Sequence, residues 1–233
     1  MTKNWIYSVP NTKQIVITAL LLLFSILFFG FTSFDIQLQN LFYSFDTQAW
    51  ILDKHAQPYA FIFYWGIKRL LILFAVVILV LLFLTKKYPA LLLPHRKGLI
   101  IVLLSAIIVP SVSVELKSLT NMPCPKDEIY YGGDYPHTAV WERYEAPYTT
   151  MKHIKCWPAG HASGGFALMS LFFLFRRKRN RYLGLAGGIA LGWTLGIYKM
   201  LIGDHFFSHT LISMFLAWLL ILLIVKVVFY FKE

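Results

Sequence analysis

Six apolar runs, one of them short, constrain what this chain can fold into more than any other feature of its sequence. A helix needs about 20 mostly apolar residues to cross a bilayer, and only 14% of this chain is charged, against about 25% in an average soluble domain. The sequence therefore predicts an all-α, polytopic membrane protein with six transmembrane helices in one bundle. We expect the spans at residues 14–34, 59–85, 98–116, 160–175, 182–202 and 206–230.

The connections between these runs predict a single integral-membrane domain over residues 1–233. The longest polar stretch, 117–157, mixes aromatic, turn and charged residues, as expected of a structured cap over the membrane end of the bundle. A second polar stretch, 35–58, carries acidic and aromatic residues, and we predict that it lies at the membrane interface. No internal repeat of the kind found in transporters is visible.

The net charge of +11 follows the expected topology. In the six-span arrangement most of the basic residues outside the 117–157 loop fall on one face, which the positive-inside rule assigns to the cytoplasm. We therefore predict a bacterial-type inner (plasma) membrane protein with cytoplasmic termini, whose 117–157 loop faces the periplasm or exterior. Anionic lipid head groups, and no nucleic acid, are the expected contact of these basic residues. They are Lys3, Lys13, Lys86, Lys87, Arg96, Lys97, Arg176, Arg177, Lys178, Arg179, Arg181, Lys226 and Lys232.

The only two cysteines, Cys124 and Cys156, both lie in the loop predicted to be extracytoplasmic. Disulfides persist on that side of the membrane, so we predict a bridge that closes a loop of about 30 residues. The alternative, a metal site that combines the two cysteines with His137 or His153, lacks the paired cysteine spacing of such sites. We expect no metal and no cofactor.

Three short motifs at the predicted outer ends of the spans carry the chemistry: Lys117 with Cys124 and Pro125, then Pro158 to His161, then Lys199 to His209. A lysine is a point charge for phosphate oxygens, and a glycine at the start of a helix lets free amides approach an anion. A neutral imidazole is a nucleophile, and a second imidazole can protonate a leaving oxygen. Together the motifs predict a phosphoryl-transfer site.

The order and spacing of these residues resemble the type 2 phosphatidic acid phosphatase superfamily, whose signature reads K-x6-R-P, then P-S-G-H, then S-R-x5-H-x3-D. The resemblance implies a six-helix membrane core and a phosphohistidine intermediate on His205. It also implies acid catalysis by His161. Phosphate binding falls to Lys117, Lys199 and the backbone at Ala159 and Gly160.

The chain departs from this signature at four positions, where Cys124, Ala159, Lys199 and His209 replace arginine, serine, arginine and aspartate. A lysine lacks the two-pronged arginine fork. A neutral His209 can still accept a hydrogen bond that fixes the tautomer of His205. Lys126 and Arg143 in the loop are nearby auxiliary cations.

Two functions follow, in the order in which the motifs favour them. The first is a phosphatase or phosphotransferase acting on a membrane lipid phosphate such as lipid A, undecaprenyl (pyro)phosphate, phosphatidylglycerol phosphate or phosphatidate. The second, favoured by the four substitutions, is a catalytically weak or inactive protein that binds or moves lipids on the same fold. A transporter is a third class, for which the chain offers little, since Glu115 is the one acidic residue within a predicted span.

Overall fold

The computed structural model describes residues 10–230, so Lys3 and Lys232, used above to predict orientation, lie outside the described residues. The chain is mostly helical. In order, its α-helices are α1 (Thr12–Phe31), α2 (Phe34–Gln39), α3 (Ile67–Leu84), α4 (Pro89–Leu92), α5 (Arg96–Leu119), α6 (Gly160–Ala167), α7 (Lys178–Leu201) and α8 (Phe207–Tyr230). A π-helical segment, Phe61–Gly66, leads into α3, and 3-10 turns cover Asn40–Phe42, Leu93–His95, Pro125–Asp127, Ile129–Tyr131, Tyr148–Thr150 and Leu168–Phe173. Strands β1 (Tyr43–Ser44) and β2 (Ala49–Trp50) form a small antiparallel hairpin.

Four helices of the described part are long and apolar enough to cross a membrane: Thr12–Phe31, Phe61–Leu84, Pro89–Leu119 and Phe207–Tyr230. They match the first, second, third and sixth predicted spans, which confirms the interpretation of this chain as a helical protein with several apolar spans. The regions predicted as the fourth and fifth spans are helical but are not among these four. Helix α6 gives way to a 3-10 segment after eight residues, so it is too short to cross by itself, and α7 opens on the basic residues Lys178, Arg179 and Arg181.

Helix α8 lies at the centre of the bundle and contributes Ala217, Ile221 and Val225 to a buried apolar core. Phe166 of α6 and Ile101 of α5 pack into the same core. Burying such side chains stabilises a fold in water through the hydrophobic effect, whereas in lipid the packing itself is decisive. The core therefore joins α5, α6 and α8 into one unit.

Small residues bring α7 against α6, as the glycine-rich sequence of the fifth predicted span suggests. Gly165 and Gly192 face each other, and a Cβ on Gly165 would lie 2.7 Å from the Cα and N atoms of Gly192. A side chain at either position would force the helices apart. Close approach of this kind is typical of packed membrane helices.

The stretch 35–58, predicted to lie at the membrane interface, folds against the turn that joins α7 to α8. The Gln39 side chain donates to the Met200 carbonyl at 2.9 Å, and the Leu52 amide donates to the Leu201 carbonyl at 3.2 Å. Tyr43, Trp50 and Tyr131 form an aromatic cluster with Phe206. These contacts belong to specific backbone groups and rings, so they could not be read from the polarity of the stretch alone.

Candidate active site

The predicted site residues lie at one end of the bundle, where successive helices end and begin. Lys117 is in the last turn of α5, His161 is in the first turn of α6, and Lys199 is in the last turn of α7. His205 immediately precedes α8. Because successive helices run in opposite directions, these ends meet. Lys117 and His161, 44 positions apart in sequence, and His161 and Lys199, 38 apart, therefore lie at the same end of the bundle.

His205 and His209 are paired. Their Nδ1 atoms are 3.3 Å apart, His205 is 4% exposed and His209 is fully buried. Burial lowers the pKa of His205 well below its usual value, and the positive charge of Lys117 acts in the same direction. His205 is therefore a neutral imidazole at neutral pH. Either His205 Nδ1 or His209 Nδ1 must carry the proton of the hydrogen bond between them. The other nitrogen of His209, Nε2, has no hydrogen-bond partner among the described residues.

The first turn of α6 forms an anion-binding surface next to Lys117. A Cβ on Gly160 would lie 3.3 Å from Lys117 Cε and 3.6 Å from Lys117 Nζ, so a side chain here would fill part of the space between this backbone and the lysine. No side chain caps the helix, and the unpaired amides of its first turn favour a negative ligand. The Ala159 amide is turned away, since it donates to the carbonyl of His209 at 3.3 Å.

Asp204 is a site residue that the sequence reasoning missed. Its carboxylate accepts from Lys199 Nζ at 2.7 Å and from Lys126 Nζ at 2.6 Å, and Lys54 Nζ lies 3.8 Å away. Burial alone would raise the pKa of Asp204, but Lys199 and Lys126 lower it to about 2. Asp204 is therefore an anion at neutral pH. A signal was present in the sequence, because a site with this many lysines needs a counter-ion and Asp204 adjoins His205.

Tyr64 was also missed. Its ring lies 4.9 Å from the His161 ring, and Lys199 Nζ sits 4.2 Å from its centre, within cation–π range. Tyr64 is carried by the π-helical segment before α3. Such segments are frequent at functional sites, but nothing in an apolar run distinguishes this tyrosine from an ordinary lining residue.

The predicted disulfide between Cys124 and Cys156 is present. Cys156 Sγ lies 3.4 Å from His205 Nδ1 and 2.9 Å from the Asp204 carbonyl oxygen, so the bridge packs directly behind the site. Cys156, His205 and His209 are close enough to hold a metal ion, but a bridged sulfur is not the thiolate that metals bind.

The two other histidines considered as metal ligands have partners. His137 Nδ1 lies 2.9 Å from Glu128 Oε1, and His153 Nε2 lies 3.1 Å from the Thr120 carbonyl. Of the two auxiliary cations, Lys126 joins the site through Asp204. Arg143 is exposed, and no described residue links it to the site by a hydrogen bond or an ion pair.

An apolar groove of about 640 Å³ leads from the site along α3 and α5. Lys117, Gly160 and His161 line one end, with Lys68 beside them, and the remaining walls are apolar. The lining follows one face of α3 through Leu71, Ala75 and Leu79, among other residues, and α5 supplies Leu103, Ala106, Ile107, Pro110 and Val114. The groove therefore joins a cationic pocket to surfaces within two apolar spans.

A protein-family model for the PAP2 superfamily matches residues 98–233, more than half of the chain. The matched region contains the three motifs and every one of the helix ends that form the site. No curated protein and no solved structure matches the chain.

Proposed function

The chain belongs to the PAP2 superfamily, and from that membership we propose that it is a phosphatase, or a phosphotransferase, acting on the phosphate of a membrane lipid. Lipid A, undecaprenyl (pyro)phosphate, phosphatidylglycerol phosphate and phosphatidate all have the required chemistry. The observation that carries the proposal is the groove of about 640 Å³ that ends at Lys117, Gly160 and His161. A lipid tail in that groove would bring its phosphate to the cations and imidazoles.

In the proposed reaction His205 Nε2 attacks the phosphorus while the bond to the lipid oxygen breaks. Attack requires the lone pair on Nε2, so the proton of His205 is on Nδ1, and this N–H donates a hydrogen bond to His209 Nδ1, 3.3 Å away. His161 gives a proton to the departing lipid oxygen. Water then attacks the phosphohistidine, His161 takes a proton from that water, and inorganic phosphate leaves.

Charge on the transferring group is balanced by fixed cations and amides. Lys117 and the first turn of α6 would hold the phosphate oxygens. Lys199, which pairs with Asp204, would supply a further positive charge. Preorganised charges of this kind stabilise the transition state without reorganisation. The scheme needs no metal ion, because ammonium groups and amide dipoles supply the positive charge.

We further propose that α6 with its 3-10 extension, and α7, complete a six-span bundle with the four apolar helices. The termini would then be cytoplasmic in a bacterial-type inner membrane, and the site and its cap would face the periplasm or exterior. The basic residues just before α7 and in its first turn support this orientation: Arg176, Arg177, Lys178, Arg179 and Arg181.

A second function is favoured by two observations at the site. Asp204 already neutralises part of the charge of Lys199, and His209 is a neutral residue where the family signature has aspartate. In this alternative, the pairing with Asp204 leaves less charge on Lys199 for a phosphate, and a neutral His209 gives His205 less support as a nucleophile. The alternative is a lipid-binding or lipid-moving protein with weak or no activity on the same fold.

Release of phosphate from a panel of lipid phosphates by the purified protein separates the two functions. We expect His205→Ala and His161→Ala to lose most of the activity while the protein still inserts and folds. A phosphoenzyme trapped from labelled substrate should require His205 alone. The mechanism is wrong if His205→Ala retains most of the wild-type rate.

A further inference from the structure

Asp204 is held by lysines from three separate parts of the chain. Lys199 comes from the end of α7, Lys126 from the loop after α5, and Lys54 from the stretch before α3. Asp204 is 8% exposed, whereas Lys126 and Lys54 are half-buried. The Asp204 carboxylate therefore links the half-buried Lys54 and Lys126 to Lys199, which is buried at the site.

The backbone around Asp204 fixes where these lysines meet. The Lys126 amide donates to the Gly203 carbonyl at 3.0 Å, and the Asp204 and His205 amides both donate to the Lys199 carbonyl, at 2.8 Å and 3.2 Å. Gly203 has a positive φ of 72°, a conformation that glycine adopts readily. The turn thus holds the Asp204 carboxylate one residue from His205 and next to the Lys126 segment.

Position 124 explains why such an arrangement is needed. The family signature that the chain resembles has an arginine there, but Cys124 is bridged to Cys156 and carries no charge. Lys126, two residues later, points at Asp204. The ammonium groups of Lys54, Lys117, Lys126 and Lys199 face two carboxylates, those of Asp204 and Asp127, so the cluster keeps a positive balance for a phosphate.

We propose that Asp204 is a positioning residue that draws Lys126 into the phosphate pocket, where Lys126 supplies the second phosphate-binding charge in place of the missing arginine. This inference rests on the proposed function and assigns two residues to it. Asp204 does not contact the substrate in this scheme. It acts through Lys126, and Lys126 contacts the phosphoryl oxygens together with Lys199. The low pKa of Asp204, about 2, keeps this ion pair formed throughout the neutral pH range.

A double-mutant cycle tests the proposal with Lys126→Met, Asp204→Asn and the double variant, measured on a lipid phosphate and by inhibition with inorganic phosphate. Lys126→Met should lower kcat/KM on the order of 10²-fold, the scale for removing one transition-state stabiliser. Asp204→Asn alone should lower it by about tenfold, and phosphate should inhibit both single variants more weakly. In the Lys126→Met background, Asp204→Asn should cost less than it does alone, because the effect that passes through Lys126 is gone and only the pairing with Lys199 remains. Lys152→Met, an exposed lysine of the same loop, is the control and should match the wild type.

Losses that multiply in the double variant would overturn the inference, as would a Lys126→Met protein with wild-type kcat/KM. Asp204→Glu keeps the charge and should retain more activity than Asp204→Asn, which provides the test if the asparagine variant does not fold. Failure of the proposed function looks different, since the wild type would then release no phosphate from any lipid. In that case the same variants can be compared by thermal stabilisation with inorganic phosphate, and equal stabilisation of wild type and Lys126→Met would again overturn the inference.

Discussion

His209 is the residue at which this chain differs most from the chemistry its motifs suggest. It lies 3.3 Å from His205 Nδ1 and is fully buried, so it can fix the tautomer of His205 by accepting a hydrogen bond. A neutral imidazole, however, does not stabilise positive charge that develops on His205 during attack. An aspartate would add that stabilisation, because hydrogen bonds to charged groups are stronger than those between neutral groups.

Replacing His209 by aspartate should therefore raise the rate of the chemical step. A hydrogen bond to a charged acceptor contributes about 1.5–3 kcal/mol against about 1 kcal/mol for a neutral one, and a difference of about 1.4 kcal/mol is tenfold in rate. We expect kcat of His209→Asp to rise by about tenfold in phosphate-release assays. His209→Asn accepts a hydrogen bond without charge and serves as the control, with a rate near that of the wild type. A folded His209→Asp protein that is no faster than His209→Asn would contradict this role.

At the scale of elements, the start of α8 is held by a residue from α2. The Asp35 carboxylate is buried and accepts a hydrogen bond from the Ser208 amide at 2.9 Å. Ser208 is in the first turn of α8, three residues after His205. Burial raises the pKa of Asp35 to about 6, against the favourable hydrogen bonds from Ser208. This cap orients the first turn of α8, and with it His205 and His209.

The raised pKa of Asp35 gives the stability of the fold a defined pH dependence. Between about pH 4 and pH 6 the folded state binds more protons at Asp35 than the unfolded state, so the free energy of unfolding falls as pH rises through this window. The rise in the pKa of Asp35 to about 6 corresponds to about 3 kcal/mol of unfolding free energy. In Asp35→Asn the amide oxygen still accepts from Ser208 and the titration is gone. Its apparent melting temperature in detergent should exceed that of the wild type by more at pH 7 than at pH 4.5, and an equal difference at both values would exclude this linkage.

The disulfide has two effects that variants of its cysteines can distinguish: it closes the loop after α5, and one of its sulfur atoms packs against the site. The Cys124–Cys156 bridge joins residues 32 positions apart in sequence. In the chain-entropy model, closing a loop of this length stabilises the fold by about 3–4 kcal/mol. Cys124→Ser and Cys156→Ser should both lose that stability, as measured by thermal unfolding. Only Cys156→Ser also removes the sulfur that contacts His205 and Asp204, so it should lose more activity. Equal activity in the two variants would show that the contact with His205 is unimportant.

Across the whole molecule, the parts that could be predicted from the sequence are those determined by local pattern. Apolar runs indicated the four membrane-compatible helices, because the length and polarity of a segment decide whether it can span. Three were predicted to within a few residues, whereas the third was predicted to begin at residue 98 and begins at Pro89. The spacing of Lys117, His161, Lys199 and His205 predicted their meeting, since each falls where a helix begins or ends. The disulfide followed from there being two cysteines on one side.

What could not be predicted depends on contacts between distant segments. Asp204 adjoins His205 in the sequence and pairs with Lys199, but its contact with Lys126, 78 residues away, could not be read from the sequence. Tyr64 contacts His161 across two helices. The fold of residues 35–58 against the α7–α8 turn likewise rests on individual hydrogen bonds, such as that from Gln39 to Met200. No periodicity or composition encodes such pairings.

The groove provides the prediction that concerns the whole molecule, because it joins the bilayer region to the site. If a lipid tail lies there, a bulky side chain on its wall should exclude long-chain lipids while leaving the phosphate pocket intact. Ala75 lines the groove on α3, whereas Leu73 on the same helix is exposed and lies outside the lining. Ala75→Trp and Leu73→Trp therefore form a matched pair in which the same large ring is placed on opposite faces of one helix.

We expect Ala75→Trp to lower kcat/KM for a long-chain lipid phosphate by at least about tenfold, since a single methylene group in a hydrophobic pocket is already worth roughly tenfold or more. Hydrolysis of a short, water-soluble phosphate ester should change by less than about threefold, because that substrate would need the phosphate pocket and not the groove. Leu73→Trp should behave like the wild type with both substrates. An Ala75→Trp protein that loses both activities equally would place the effect in the fold of α3 rather than in the groove, and one that loses neither would show that the lipid tail binds elsewhere.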